Sequence, residues 1–325
     1  MAREHNPIDA VIAWVDGSDA EHARKRAHYA SPDTHASSQN LGRFDEVGEL
    51  LYCVGSIFAF APFVRNIVIL SDDQVPSYLD QIYALRRDAR ERVQFASHRE
   101  IFKDYEEFLP VFNSRTIETM LHRIDGLSER FLYFNDDTML SRPSTHTTFF
   151  DGDLPIVRGR WRSFRLRSHI HLRGYAMQRR SGRAGNTRGQ ELGAWLAGQR
   201  WRYVHAEHVP QPMRRSTLRS YFEAHPDTLR TQLAHRFRSP EQFVPTALAR
   251  HLELRWHARL GAPFIAGYLR PMHAANSEHL QRTLHALEER AFDTFCVQEL
   301  SQFGPTVREA IFESIRRTLD GSYRG

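Results

Sequence analysis

Two adjacent carboxylates, Asp136 and Asp137, follow a short aromatic run from Phe131 to Phe134, with Asn135 between the run and the acids. The run is too short for a helix and predicts a buried β-strand. In open α/β sheets ligands bind beyond the carboxyl ends of the strands. Paired acids at such a position are suited to hold a hard divalent cation against a diphosphate. The alternative is an ordinary Asn-Asp-Asp turn.

A helix is predicted just before this strand. Its core-facing stripe recurs at i, i+3, i+4 and i+7 and consists of Ile117, Met120, Leu121 and Ile124. Asn113 or Ser114 is suited to cap the start, and Gly126 follows the end. The other side of the helix carries Arg115, Glu118 and His122, a spacing that is also common for solvated pairs of acids and bases.

A second polar turn follows the first predicted strand, Ile8 to Val15. Asp16, Gly17, Ser18 and Asp19 stand between this strand and an Ala- and charge-rich helix. Gly17 permits close backbone approach, Ser18 can cap the helix, and the helix N-terminus can receive a phosphate. Such turns are also common in loops without any function.

The first half of the chain alternates strands and helices. Helical spacing covers 46–60, and further short strands are predicted at 67–70, which runs into Ser71-Asp72-Asp73, and at 93–95. This alternation predicts a parallel sheet with helices on both faces, a Rossmann-like nucleotide-binding α/β core. We place this core at 1–150, an Arg-rich insertion or loop at 151–200, and a mainly helical part at 201–325. Helices are predicted there at 213–224, 226–236, 241–259, 277–290 and 305–319.

Composition restricts the class of protein. The 325 residues are 41% hydrophobic and 11% aromatic, as expected for a globular chain with a real core. Cys53 and Cys296 show no metal-ligand spacing and are predicted to be buried free thiols. No apolar run reaches transmembrane length, and the first motif begins at Ile8, so a cytosolic protein is expected. The net charge of +5 favours anionic partners.

The most biased segment lies between Asp153 and Glu191, which contains ten arginines and no acid. Trp161, Phe164 and Tyr175 interleave with them. Such a segment suits a polyanionic glycan chain, the diphosphate of a donor or anionic lipid headgroups, and nonspecific nucleic-acid affinity is an alternative. The basic residues are nearly all arginine, so codon composition can also produce this bias. Glycines in the segment predict a mobile loop that closes over donor or acceptor.

Four segments resemble, in order, the blocks of the Stealth family. These proteins are sugar-phosphate transferases of bacterial capsule synthesis and include the catalytic subunit of the lysosomal-enzyme N-acetylglucosamine phosphotransferase. The first block is IDAVIAWVDGSD at 8–19. The others are 43–80 with 109–143 for the second, which contains FNSRTIETML and FLYFNDDTMLSRP, then 208–243 for the third and TFCVQEL at 294–300 for the fourth.

This resemblance implies a GT-A-like core and a defined reaction. The family transfers a hexose 1-phosphate, here expected to be an N-acetylhexosamine 1-phosphate, from a UDP-sugar to a glycan hydroxyl and releases UMP, with Mg²⁺ or Mn²⁺ as cofactor. The implied catalytic residues are Asp19, Glu118, Asp137, His208 and Arg238. Among them His208 is expected to act as the general base and Arg238 to clamp the phosphoryl group.

The resemblance also implies binding and metal residues. Donor binding falls on Asp16, Gly17, Ser18, Asn113, Ser114, His122, Arg123 and Asn135. The metal ligands are expected to be Asp136, Asp137 and Glu299. The fourth block departs from the family pattern, because Gln298-Glu299 stands where members commonly carry Asn-Asp, and this makes Glu299 the least secure residue of the set.

The expected partners are a UDP-sugar donor and a polysaccharide or lipid-linked glycan acceptor. Peripheral contact with an anionic membrane at the inner face of the plasma membrane fits the basic segment, and no specific nucleic acid is expected. Two other functions stay open at this point. One is a metal-dependent glycosyltransferase that releases UDP, and the other is a polyanion-binding protein in which the acids are structural.

Overall fold

The computed structural model describes residues 7–30, 44–164, 185–273 and 277–320. In chain order its strands are β1 Ile8–Ala13, β2 Val64–Ser71, β3 Val93–Ser97, β4 Arg130–Asn135, β5 Thr138–Leu140, β6 Phe150–Asp151, β7 Leu154–Pro155, β8 Val157–Arg158, β9 Arg160–Ser163, β10 Arg202–His205, β11 Gln211–Arg214, β12 Leu260–Gly261, β13 Ala266–Leu269 and β14 Thr294–Val297.

The α-helices alternate with these strands in the first half and dominate the second. They are α1 Ala20–Tyr29, α2 Glu49–Phe60, α3 Leu79–Ala84, α4 Ala89–Arg92, α5 His98–Ile101, α6 Ser114–Thr119, α7 His146–Phe149, α8 Asn186–Leu196, α9 Arg215–Ala224, α10 Pro226–Leu233, α11 Pro245–Arg255, α12 Ser277–Glu288 and α13 Pro305–Asp320. Short 3₁₀ turns lie at Glu106–Phe108, Leu121–Arg123, Pro271–His273 and Leu300–Gln302.

The main sheet has the strand order β11-β4-β1-β2-β3. Strands β4, β1, β2 and β3 are parallel, and Ala10 of β1 lies between Leu132 of β4 and Ile67 of β2. The predicted α/β class is confirmed. The expectation of an entirely parallel sheet is wrong, because β11 returns from the second half and joins β4 as an antiparallel edge, with Met213 opposite Phe131.

Two hydrophobic cores cover the two faces of this sheet. Alternate residues of β1 divide between them, with Ile12 in the core under α2, α12 and α13, and Val11 in the core under α5, α6 and α9 to α11. This alternation follows from the two-residue period of a strand buried on both sides. Both cores are continuous, so the polar residues at the carboxyl ends of β1, β2 and β4 lie at one edge of a rigid layer.

Local backbone conformations shorten two predicted helices. The helix predicted at 46–60 begins at Glu49, because Gly48 adopts a left-handed conformation and the carboxylates of Glu46 and Glu49 accept the backbone N–H groups of Gly48 and Val47. The helix predicted after Asn113 ends at Thr119 and continues as the 3₁₀ turn Leu121–Arg123. The helices predicted in the second half are all present, with ends shifted by a few residues.

The cysteines, membrane-spanning helices and the Arg-rich segment were also the subject of predictions. Cys53 and Cys296 are both buried and free, as predicted. No helix in the described ranges has the length and apolarity needed to cross a membrane. Residues 165–184 of the Arg-rich segment lie outside the described part of the chain. They include most of the predicted closing loop, which therefore stays a prediction.

Candidate active site

The acidic pair forms the turn between β4 and β5. Asp136 Oδ1 accepts the backbone N–H of Asp137 at 3.0 Å, and the hydroxyl of Thr138 donates to Asp137 Oδ1 at 3.0 Å. Asn135 ends β4, and its carbonyl accepts a weak bond from the Cys53 thiol. The two carboxylates therefore lie at the carboxyl edge of the main sheet, where the sequence predicts them.

Two further acids, Glu46 before α2 and Glu49 at its first position, lie near this pair. Burial, with Asp137, Glu49 and Glu46 nearby, raises the pKa of Asp136. Burial likewise raises the pKa of Glu49 to about 7, and the neighbouring carboxyl of Glu46 adds to the rise. Sequence reasoning missed Glu46 and Glu49, because their spacing, E-x-x-E at the start of a helix, is typical of an ordinary helix N-terminus.

The chemistry of these donors fits a divalent cation. Mg²⁺ is usually held by one or two protein carboxylates together with substrate phosphates and water, and Asp136 and Asp137 supply that number of ligands. Burial and the neighbouring carboxylates together raise the pKa of Asp136, and a bound cation offsets both effects. In the described part of the chain, no three His, Cys, Asp or Glu side chains are grouped closely enough to form an all-protein metal site.

Glu299 lies near this edge, and its side chain is exposed. Strand β14 runs beside β5, and the N–H of Val297 donates to the carbonyl of Asp137 at 3.1 Å. Glu299 follows in a left-handed conformation with an exposed side chain. Its neighbour Gln298 is held by Arg270, whose Nε donates to Gln298 Oε1 at 2.9 Å. The metal role of Glu299 stays a prediction.

Glu118 connects to the acidic turn through Tyr133. The Tyr133 hydroxyl lies 3.4 Å from Glu118 Oε1 and 3.1 Å from Asn135 Oδ1, so its single proton is shared between these acceptors. Burial raises the pKa of Glu118, and Arg238 and Ser114 oppose that rise. The expectation that Glu118 lies on a face opposite the core is wrong, because its side chain is only 7% exposed.

Arg238 reaches this group from the loop after α10. Its guanidinium donates to the Ser114 hydroxyl at 2.9 Å, and Ser114 in turn hydrogen-bonds to the Glu118 carboxyl. The structure thus gathers Arg238, Ser114 and Glu118, predicted from distant segments, into one hydrogen-bonded chain that ends at Asn135. A buried carboxyl beside a guanidinium can hold either a proton or a charge as its partners change.

The turn after β1 is rigidly built. Asp16 Oδ1 accepts the N–H and the hydroxyl of Ser18, while Gln74 bonds both the N–H and the carbonyl of Asp16. A Cβ on Gly17 would lie 2.3 Å from that of Phe44, so the close approach predicted for Gly17 is to protein backbone. Asp19, rather than Ser18, caps α1 by accepting the N–H of His22 at 2.8 Å.

His208 is connected to the acidic turn through Tyr268. The Tyr268 hydroxyl donates to the His208 carbonyl at 3.0 Å, and both Glu207 and Asp137 contribute to the rise in the pKa of Tyr268 that burial causes. Tyr268 pairs with Cys296 across the small sheet β13-β14-β5, and Cys296 pairs with Thr138. One row of paired residues therefore leads from the acidic turn to the backbone of His208.

Three residues with predicted donor contacts have other partners. The Nδ1 of His122 bonds the carbonyl of Thr119, its ring packs on Phe222, and burial lowers its pKa to about 4. Arg123 donates to the carbonyls of Ile101 and Lys103, and Asn113 caps α6. The break after Thr119 separates the face of His122 from that of Glu118. Among the described contacts, none joins these three to the acidic turn.

Tyr133 and Tyr268 are residues that sequence reasoning missed. Tyr133 stands two positions before Asn135 in a strand buried on both faces, and only this period-two spacing shows that both side chains leave β4 on the same side. Tyr268 lies on a four-residue strand and donates to a carbonyl 60 positions away, so no local signal indicates it.

Family models match two segments of the chain. Residues 43–156 match the model described as Stealth protein CR2, conserved region 2, and residues 6–31 match Stealth protein CR1, conserved region 1. These segments contain Asp19, Glu118, Asp136 and Asp137. His208, Arg238 and Glu299 lie outside both matches, so their roles depend on the geometry and on the resemblance of shorter segments.

Curated relatives include bacterial polysaccharide phosphotransferases. An exopolysaccharide phosphotransferase of Streptomyces coelicolor is 33% identical over 299 residues, which are 90% of this chain and 51% of that one. A capsular polysaccharide phosphotransferase of Actinobacillus suis is 40% identical over 150 residues, 45% of this chain and 38% of its own length. The chain thus spans about half, or less, of the length of these relatives.

Two glycosyltransferases are among the solved structures that were matched. The galactosyltransferase LgtC, in complex with donor and acceptor sugar analogues, covers 94% of this chain and 95% of its own, at 13% identity and a TM-score of 0.37. The bifunctional glycosyltransferase WbbM covers 95% of this chain and 50% of its own, at 10% identity and a TM-score of 0.44.

Proposed function

The chain belongs to the Stealth family, whose conserved regions 1 and 2 it carries, and on this premise we propose that it is a sugar-phosphate transferase. Its donor is a UDP-sugar, its acceptor is a hydroxyl of a glycan, and its products are UMP and a sugar 1-phosphodiester. The proposed context is capsular or exopolysaccharide synthesis in the cytoplasm or at the inner face of the plasma membrane. The names of the matched relatives support this context.

One observation supports this proposal above the others. The acidic turn Asp136-Asp137 and the chain Arg238–Ser114–Glu118 lie on two sides of Tyr133, at the carboxyl edge of a parallel sheet. That edge is where nucleotides bind in open α/β folds. Carboxylates for a cation beside a guanidinium for phosphate oxygens are the groups that phosphoryl transfer requires.

The proposed step is a displacement at phosphorus. The acceptor hydroxyl oxygen attacks the β-phosphorus of the UDP-sugar, and the bond from that phosphorus to the oxygen shared with the α-phosphorus breaks. UMP leaves with this oxygen and its electron pair, and the hydroxyl proton passes to a base. The anomeric carbon keeps all of its bonds, so its configuration is retained in the product.

His208, Arg238 and Glu118 have different proposed roles in this step. His208 is the proposed base, because Tyr268 holds its backbone and histidine is the side chain that most often serves as a general base. Arg238 and Glu118 face the transferred phosphoryl group. The guanidinium stabilises charge on its oxygens, and the buried carboxyl keeps the guanidinium oriented through Ser114.

A divalent cation completes the proposal. Asp136 and Asp137 would hold it, and when bound it supplies charge neutralisation on the diphosphate oxygens. The turn after β1 is placed to meet the nucleotide, because α1 begins there at the same sheet edge.

The test is incubation with a panel of UDP-sugars and a glycan acceptor in the presence of Mg²⁺, with and without EDTA. Mass spectrometry should detect UMP and a phosphodiester-linked product, both of which EDTA abolishes. Release of UDP with a glycosidic product would instead identify a glycosyltransferase. Salt-sensitive binding of polyanions with no turnover of any donor would identify a binding protein.

A further inference from the structure

A basic pocket lies beside the proposed active site. It is a small pocket open to solvent and lies where β8 and β9 meet the end of β10 and the residues after β12. Its charged and polar lining consists of Arg158, Arg160, Arg162, His205 and Glu207, with Phe264 as its aromatic wall. Among the lining residues of the described chain there are three guanidinium groups and one carboxylate.

Arg158 is fixed in the wall of this pocket. Its terminal nitrogens donate to the carbonyls of Ala262 and Thr148, and its guanidinium lies 4.4 Å from the centre of the Phe264 ring. Burial lowers the pKa of Arg158, and within the described chain its Nε has no hydrogen-bond partner although it is buried. A desolvated cation with an unused donor is stabilised when an anion binds next to it.

His205 provides a second unused group. It is 8% exposed, its Nε2 lies 3.6 Å from Glu207 Oε1, and its Nδ1 is buried without a hydrogen-bond partner among the described residues. Gly159 makes this arrangement possible, because a Cβ there would lie 2.4 Å from the His205 carbonyl oxygen. Arg162 lies 3.6 Å from the same Glu207 oxygen and is only partly exposed. Among the described residues that line the pocket, Glu207 is thus the one carboxylate, and it lies beside both Arg162 and His205.

The pocket adjoins the active site through the residues on either side of His208. Glu207 and Val209 line the pocket, and Tyr268 donates to the carbonyl of His208 between them. Tyr268 is two strands away from Thr138 in the sheet β13-β14-β5, a separation of about 10 Å at ordinary strand spacing. A group bound in the pocket therefore lies a short distance from the cation-binding turn, on the side of the proposed base.

We propose that this pocket binds a phosphodiester of the acceptor glycan, next to the hydroxyl that is extended. This inference rests on the proposed function, whose product carries a phosphodiester after every addition. Guanidinium groups suit two oxygens of such a group, and Phe264 offers an apolar wall to the adjoining sugar. The product of one cycle then has an anchoring group for the next, so the enzyme elongates a chain instead of adding a single unit.

The test measures binding without turnover. Calorimetry with the full chain compares three synthetic disaccharides, one with a phosphodiester linkage, one with a neutral glycosidic linkage and one carrying a uronic acid carboxylate. The phosphodiester compound should bind at least about tenfold more tightly than the others, the amount expected for one charge-assisted hydrogen bond. Equal affinity for the neutral compound, or for the uronic acid compound, would overturn the assignment.

Variants at the pocket should move this preference in opposite directions. Arg162→Gln should lower affinity for the phosphodiester compound about tenfold, because a charge-assisted hydrogen bond is lost. Glu207→Gln should raise that affinity, since it removes the negative charge that Arg162 and His205 now face. Arg282→Gln, at a side chain 70% exposed on α12, is the matched control and should change nothing.

The outcomes separate the pocket from the reaction. A loss for Arg282→Gln equal to that for Arg162→Gln would mean that only overall charge is measured, and the pocket assignment would fail. Weaker binding by Glu207→Gln would contradict it as well. If the enzyme releases UDP instead of UMP from the donor while the variants still change phosphodiester binding as expected, the proposed reaction is wrong. The assignment of the pocket as a phosphodiester site is then still supported.

Discussion

Buried acids on the two sides of Tyr133 have different electrostatic surroundings. Asp136 faces other carboxylates, so burial and repulsion act together to raise its pKa. Burial also raises the pKa of Glu118, but Arg238 and Ser114 counter it. At the residue scale, within the described part of the chain, the neighbours that shift Asp136 are carboxylates, whereas Glu118 has a guanidinium beside it. This asymmetry supports the proposal that Asp136 and Asp137 hold the cation and that Arg238 contacts the phosphoryl oxygens.

Replacement of Asp137 tests the first half of that assignment. Asp137→Asn should lower turnover by about 10² or more, because a carboxylate ligand becomes a neutral amide beside the developing charge. Asp80→Asn is the control, with a side chain 93% exposed. Steady-state rates would be measured with circular dichroism to verify folding. A folded Asp137→Asn protein with normal turnover would contradict the assignment.

Replacement of Arg238 tests the second half. Arg238→Gln should lower kcat by about 10², since the guanidinium acts on the phosphoryl group in the transition state. Arg230→Gln, on the preceding helix α10 with a side chain 56% exposed, should retain the wild-type kcat. A purely structural role would lower the free energy of unfolding and leave kcat of the folded fraction unchanged, and that result would count against the phosphoryl clamp.

At the scale of elements, the four parallel strands of the main sheet were predictable, whereas its antiparallel edge strand β11 and the strands of the small sheet were not. Strands β1, β2 and β4 are apolar runs that end in polar turns, and this pattern is local. The strands of the sheet β13-β14-β5 have three or four residues each, and while β13 pairs with β14 across 28 positions of sequence, β14 pairs with β5 across more than 150. Nothing local specifies such pairing, and so Tyr268 could not be placed.

The predicted site residues also divide into those that a local pattern predicts and those that it does not. Asp136 and Asp137 follow from the end of a buried strand, a physical pattern in the sequence. Ser114, Glu118 and Arg238 came from family resemblance, and only the tertiary structure shows that they form one hydrogen-bonded chain. The predicted helix would place Glu118 and His122 on one face. In the structure this helix ends at Thr119 and a 3₁₀ turn follows at Leu121–Arg123.

Helix packing in the second half offers a test at this scale. A Cβ on Gly193 of α8 would lie 2.8 Å from the backbone N of Leu248 and 2.9 Å from the carbonyl oxygen of Val244. Gly193→Ala should therefore lower the free energy of unfolding by about 1–3 kcal/mol, since backbone atoms of α11 cannot move aside easily.

The matched control is Gly185→Ala at the start of the same helix, where nothing lies within 4 Å of the added Cβ. Its effect should stay within about 0.5 kcal/mol in urea unfolding. Equal stability of the two variants would show that α8 and α11 are not packed as described.

At the scale of the whole molecule, buried histidines tie stability to pH. Burial lowers the pKa of His98 to about 4 and that of His251 to about 3. His251 is satisfied only when neutral, because Nε2 accepts the N–H of Val204 while Nδ1 donates to the carbonyl of Ala247. Below a pH of about 6.5 these histidines bind protons in the unfolded chain but stay neutral in the folded protein. The free energy of unfolding therefore falls as the pH falls.

Buried Glu49 acts in the opposite direction, because its raised pKa, about 7, makes the folded state bind a proton more readily than the unfolded chain.

A single variant isolates the histidine contribution. Between pH 4 and 6, His251→Gln should reduce the slope of unfolding free energy against pH by about 1.4 kcal/mol per pH unit, the value for one proton. Exposed His285→Gln should keep the wild-type slope. Equal slopes for the two variants would show that His251 is protonated in the fold.

The central claim is that the acceptor attacks the β-phosphorus and not the anomeric carbon. The most direct measurement uses a UDP-sugar carrying oxygen-18 in the bond between the anomeric carbon and the β-phosphorus, with mass spectrometry of both products. The account predicts that all of the label stays in the phosphodiester product and that the released nucleotide is unlabelled UMP. Label in released UDP would show cleavage at the anomeric carbon and would contradict it.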